Sequence, residues 1–232
     1  MPAISLLGLF VLLIITLSAL RTRVVYELSG TSLLIFGSTR PGILLYSLLF
    51  LPGTIIHELS HWIVAEILQV RTGEITIFPD LADKGESRRL GSVATEHSDP
   101  FRGFLIGLAP FISGLGILVI LGKLLSDGLS GGLVWWQIML VVYGIMVISN
   151  SMMISKEDRR TWPFILIFLS IITFLFVYFR ASLPPTTYDL LSTILLPLNS
   201  IMGVTAGLNL VMIGGLYSLR RIVQKITKRR II

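Results

Sequence analysis

The sequence predicts an all-α polytopic membrane protein with about six transmembrane helices and a small cytoplasmic β-hairpin between the second and the third. Three observations lead there. Of the 232 residues, 53% are hydrophobic and only 14% are charged, and the mean hydropathy is +0.85, which is too apolar for a soluble domain of this size. The apolar residues gather into stretches near the roughly 20 residues that a helix rising about 1.5 Å per residue needs to cross a hydrocarbon core. One stretch, from Val70 to Pro100, is polar enough to stand outside that core.

The expected spans are residues 2–20, 42–69, 103–122, 133–149, 162–179 and 190–217. Pro2 to Leu20 reads as a retained first helix, because it has no positive n-region and no A-x-A-like cleavage site. The second span is too long for one straight helix and contains Pro52-Gly53, so a break is expected there with a fresh helical start at Thr54. Between the second and third spans, Glu74-Ile75-Thr76-Ile77-Phe78 alternates polar and apolar, and Gly91 to Thr95 is a weaker match after the charged turn. That alternation predicts the hairpin, whose edge would suit an extended substrate strand. The third to sixth spans follow from hydropathy alone, and no internal repeat is evident.

Charge orients this arrangement. With the N-terminus inside, the expected inner segments hold fourteen Lys and Arg residues and the outer ones five, Arg21 and Arg23 among the latter. The positive-inside rule then places both termini in the cytoplasm. The net charge of +6 comes from residues at the ends of apolar spans and in the tail from Arg220 to Arg230, which fits anionic headgroups rather than nucleic acid. The expected partner of these charges is therefore a lipid bilayer.

His57-Glu58-Leu59-Ser60-His61 puts two of the three histidines and a carboxylate into the second apolar span. Ionisable groups in lipid cost a few kcal/mol or more without partners. In H-E-x-x-H spacing the two histidines share one helix face and can share one zinc, with Glu58 beside it as general base. The bland alternative is that these are packing histidines hydrogen-bonded to neighbouring helices; three such groups at this spacing favour a metal. There is no cysteine, so a third ligand must be sought among His, Asp, Glu and Asn. Glu66 lies about 500° around the helix from His61, off its face. His97 and the weaker Asp99 belong to a polar loop. Asp158 follows the fourth span, on the same expected side as the end of the second, which favours it while Glu66 and His97 remain alternatives.

Asn150 and Asp158 stand eight positions apart, and with the H-E-x-x-H they make the chain resemble the site-2 protease family of intramembrane zinc metalloproteases. That family pairs H-E-x-x-H with a later N-x-x-P-x-x-x-L-D-G. Met153, Glu157 and Arg159 replace the pattern's proline, leucine and glycine here. Gly107-Leu108-Ala109-Pro110 looks like the small-residue and proline patch these proteins carry between the two motifs, and no PDZ-like insert is present. The likeness covers roughly residues 42–160. It implies one zinc per chain held by His57, His61 and Asp158, with Glu58 as general base and Asn150 in contact with a membrane protein substrate. The expected location is a prokaryotic cell membrane.

The resulting organisation is a first helix and connection at 1–40, a catalytic core at 41–160, two further helices at 161–219 and a basic tail at 220–232. The expected activity is zinc-dependent hydrolysis of peptide bonds in membrane-embedded or membrane-proximal proteins. A scaffold of the same fold without activity is an alternative, kept alive by the three departures. A transporter is a further one, for which Pro197, Asn199 and Asn209 would serve.

Overall fold

The computed structural model describes residues 3–76, 92–95, 99–153, 158, 163, 167, 170–171 and 185–228. The chain is an all-α membrane protein. Its helices are α1 (Ala3–Phe36), α2 (Arg40–Leu49), α3 (Leu51–Ile67), α4 (Pro100–Asp127), α5 (Trp135–Ser151) and α6 (Pro185–Thr227), with a wide turn at Gly128–Gly132 between α4 and α5. Among the described residues, three helices are long and apolar enough to cross a membrane, namely α1, α4 and α6. The bent pair α2/α3 is a fourth candidate, and α5 is a shorter apolar helix. Leu12, Ile15, Met139 and Val211 stay more than half exposed, as side chains facing lipid would. The expected span 162–179 lies largely outside the described residues.

α1 runs well past Leu20, where the first span was expected to end. Arg21, Arg23 and Glu27 suggest a polar exit, yet Glu27 is fully buried and is held by Arg220 of α6 and by Arg23 at 2.8 Å. A paired carboxylate no longer obliges the helix to stop, because its desolvation is offset by two guanidinium groups. Arg23 and Arg220 also lie over the Tyr26 ring, 4.8 and 5.5 Å from its centroid.

The same contacts fix the direction of α6. Asn199 donates to the Leu6 carbonyl at 2.9 Å, and Arg220 meets Glu27; both contacts join residues 193 apart. Equal separations mean that α1 and α6 run parallel. Six alternating spans would make the first and last antiparallel, so the described helices do not follow that scheme. The ends at Ala3 and Thr227 lie at opposite ends of the pair, contrary to the expectation that both termini share one face. Arg21 and Arg23, expected on the side opposite the basic tail, lie at the same end as Arg220 and Arg221.

α5 runs against α6. Tyr143, Met146 and Val147 share an apolar cluster with Met212, Ile213 and Leu216, while Met152 and Met153 cluster with Met202 and Ala206. α2 runs back along α1: the Gly42 amide donates to Ser32 Oγ at 3.0 Å, and a Cβ at Gly42 would overlap the Leu28 carbonyl, so only glycine permits this approach. α2 and α3 meet at Phe50 with a 72° bend. The expected break is present, placed ahead of the proline rather than after it. Pro52 sits in the first turn of α3, where a missing N–H costs nothing.

Beyond α3, β1 (Thr72–Thr76) and β2 (Ser92–Thr95) pair antiparallel, with Thr72 opposite Thr95, Thr76 opposite Ser92 and an irregularity between Thr72 and Ile75. The expected strands are present in shifted form. Residues 77–91, which would join them, lie outside the described residues.

The Glu27–Arg220 pair carries a stability prediction. Glu27→Leu should cost about 3–5 kcal/mol by leaving Arg220 buried and unpaired. Glu27→Leu with Arg220→Leu should recover most of that, read as midpoints of unfolding in detergent; a double variant as unstable as the single one would contradict it.

Candidate metal centre

One turn of α3 carries the two histidines on a common face, and each is anchored from behind by a backbone carbonyl of another helix. His57 Nδ1 lies 2.7 Å from the Ser151 carbonyl oxygen at the end of α5, and His61 Nδ1 lies 2.8 Å from the Ile106 carbonyl oxygen in α4. A carbonyl oxygen can only accept, so both Nδ1 atoms carry the proton and donate it. In the neutral rings, both Nε2 atoms are then left with lone pairs. Ser60, on the next face of α3, meets Ser113 of α4 at 2.7 Å and ties the helices together beside the histidines.

The lone pairs converge. His57 Nε2 and His61 Nε2 are 3.3 Å apart, with the rings edge to face at 81°. Asp158 closes the triangle, its Oδ1 3.2 Å from His61 Nε2 and its Oδ2 3.7 Å from His57 Nε2. One ligand atom from each residue lies within 4.8 Å of the others. Three acceptors facing one another at such distances repel unless a positive charge lies among them. His57, His61 and Asp158 could therefore hold a metal ion. Their side chains are only about a tenth exposed, at 12%, 9% and 11%, so little water competes for the position.

Asp158 depends on a glycine. A Cβ on Gly107 of α4 would overlap the Asp158 carbonyl oxygen, so the backbone carrying the carboxylate packs directly on α4 where no side chain stands. Gly107 is the first residue of the Gly-Leu-Ala-Pro patch, and its use here is visible only once Asp158 is placed.

Glu58 is buried and close enough to His61 and Asp158 to interact with both electrostatically. Asn150 is not brought into the cluster. Its Nδ2 donates to the Met146 carbonyl at 2.7 Å and to Asn209 Oδ1 at 3.2 Å, and its Oδ1 accepts from Asn209 Nδ2 at 3.1 Å. The amide is thus engaged in a reciprocal pair that joins α5 to α6, flanked by Ser149 donating to Thr205 at 3.2 Å. Asn209 was expected to matter only in a transporter; its partner in α5 was not legible.

The alternative third ligands are elsewhere or occupied. Glu66 accepts from Thr72 Oγ1 at 3.2 Å. Asp99 caps α4, accepting from the Phe101 and Arg102 amides at 3.0 Å each and pairing with Arg102 at 3.2 Å. His97 lies outside the described residues. Sequence reasoning missed the two anchoring carbonyls, since only tertiary contact reveals which backbone oxygens a helix leaves for a neighbour.

No protein-family model, curated protein or solved structure matches this chain.

Gly107→Ala should displace Asp158 and weaken binding of an added divalent ion by at least about tenfold, the lower end of what disturbing a ligand's support costs. Gly116→Ala, where a Cβ meets nothing within 4 Å, should leave it unchanged. Calorimetric titration in detergent compares the two, and equal affinities would remove Asp158 from the site.

Proposed function

We propose that the chain is a zinc-dependent intramembrane endopeptidase that hydrolyses peptide bonds of membrane-embedded or membrane-proximal proteins, as its resemblance to the site-2 protease family implies. The observation that carries this reading is the meeting of His57 Nε2, His61 Nε2 and the Asp158 carboxylate beside Glu58. Tetrahedral zinc with Zn–N bonds of about 2.0–2.1 Å places neighbouring ligand atoms roughly 3.3 Å apart; the separations of 3.3 and 3.2 Å match this, and that of His57 from the other Asp158 oxygen, 3.7 Å, is longer. Two histidines and one carboxylate are also a ligand set of catalytic rather than closed structural zinc, with a fourth position open.

When bound, zinc would supply Lewis-acid chemistry, polarising a substrate carbonyl and acidifying a water. The chain's own groups do the rest. His57 and His61 would hold the ion through nitrogens whose lone pairs are fixed by the carbonyls behind them, and Asp158 would contribute one negative charge to balance it. Glu58, next to His57 in sequence and buried at the cluster, takes the water's proton and delivers it to the leaving amine. A substrate helix must unwind before its carbonyl is open to attack, because its backbone oxygens are already hydrogen-bonded. The antiparallel strands that follow α3 offer an edge on which an unwound segment could pair. Asn150 acts in this reading by docking α5 on α6, since Asn209 already engages both ends of its amide.

Protein purified in detergent should carry about one zinc per chain. His57→Ala should lose it, Glu58→Gln should keep it, and both should lose cleavage of a membrane substrate by at least about a hundredfold. Asp158→Ala should weaken zinc binding sharply. Wild-type protein that takes up no zinc would overturn the metalloprotease reading; bound zinc with Glu58→Gln as active as wild type would overturn the role of Glu58.

A further inference from the structure

Pro110 stands inside α4, four residues after Ile106. In an unbroken helix the N–H of residue 110 would donate to the Ile106 carbonyl, but proline has no N–H, and its ring pushes the carbonyl four residues back off the helix axis. In hydrocarbon a carbonyl left in that state costs several kcal/mol unless another donor reaches it. The donor is His61 Nδ1, 2.8 Å away. Pro110 and Ile106 are both buried, so water does not replace that contact.

We infer that Pro110 is a positioning residue for the metal centre: by withholding its N–H it frees the Ile106 carbonyl to take the Nδ1 proton of His61, which turns the Nε2 lone pair toward Asp158 and His57. The companion histidine is held by the same logic with a different device. His57 Nδ1 donates to the Ser151 carbonyl at 2.7 Å, and Ser151 is the last residue of α5, where helix carbonyls have no intrahelical donor. One histidine is thus fixed by a helix end and the other by a proline. Ring orientation set in this way is how metal-bound histidines are commonly tuned.

The link from Pro110 to His61 needs no metal, while its effect on affinity rests on the zinc reading above, and two measurements keep them apart. In metal-free protein labelled with 15N-histidine in detergent micelles, nitrogen shifts should show the His61 proton on Nδ1. In Pro110→Ala the restored N–H should reclaim the Ile106 carbonyl and move the His61 proton toward Nε2, while His57, still held by the Ser151 carbonyl, keeps its proton on Nδ1 as the internal control. Zinc titration of the same two proteins should then show affinity reduced tenfold to a hundredfold in Pro110→Ala. Pro110→Leu, which also restores the N–H, serves if the alanine variant is not recovered folded. A wild-type His61 with its proton on Nε2 would overturn the inference, as would unchanged His61 shifts in the folded variant. Shifts that move as expected in a protein that binds no zinc would leave the positioning intact and refute the metal reading instead.

Discussion

Hydrocarbon penalises a polar group without a partner, and in this chain two carbonyls that the helices leave unpaired are where the histidines dock. A helix satisfies its own backbone except at its ends and at proline. The carbonyls of Ser151 and Ile106 are two such exceptions, and His57 and His61 meet them at 2.7 and 2.8 Å. Satisfying the backbone and aiming the imidazoles are the same contact. Two donors are consumed behind the rings, so two lone pairs are presented in front, and Asp158 completes a set of acceptors whose mutual repulsion a cation relieves. A site costly to build in lipid is thereby made from groups that the fold already had to satisfy.

The constraint also accounts for two further groups of buried polar residues. Asn150 and Asn209 exchange two amide hydrogen bonds across α5 and α6, and Glu27 is met by Arg220 and Arg23 across α1 and α6. Each pair is specific to one register, because sliding either helix by a turn would strand two polar groups. Together they set the parallel course of α1 and α6 and the opposed course of α5, and so fix α5, whose Ser151 carbonyl anchors His57.

Features governed by local chemistry were legible in the sequence, and those governed by distant partners were not. H-E-x-x-H spacing alone puts His57 and His61 on one face, and the kink at Pro52-Gly53 follows from proline's missing N–H, though the break falls at Phe50 because proline is favoured within a first helical turn. Asp158 was accessible through its spacing from Asn150. By contrast, hydropathy ends the first span at Leu20, and the helix continues because Glu27, further along it, is met by Arg220, 193 positions beyond. The same hidden pairing misled the orientation: counting Lys and Arg assumes alternating spans, and hydropathy carries no information about which helices run parallel. Asn150, assigned to substrate through the motif, has an amide engaged by Asn209 across α5 and α6, a partner that its motif does not announce.

The central claim is that His57, His61 and Asp158 surround one zinc ion, and X-ray absorption at the zinc edge of protein purified in detergent tests it most directly. The account predicts a four-coordinate shell with two imidazole nitrogens at about 2.0–2.1 Å and the remainder oxygen at about 2.0–2.2 Å, losing an imidazole contribution in His61→Ala. A protein without zinc, or a zinc shell with no imidazole scattering, would contradict it.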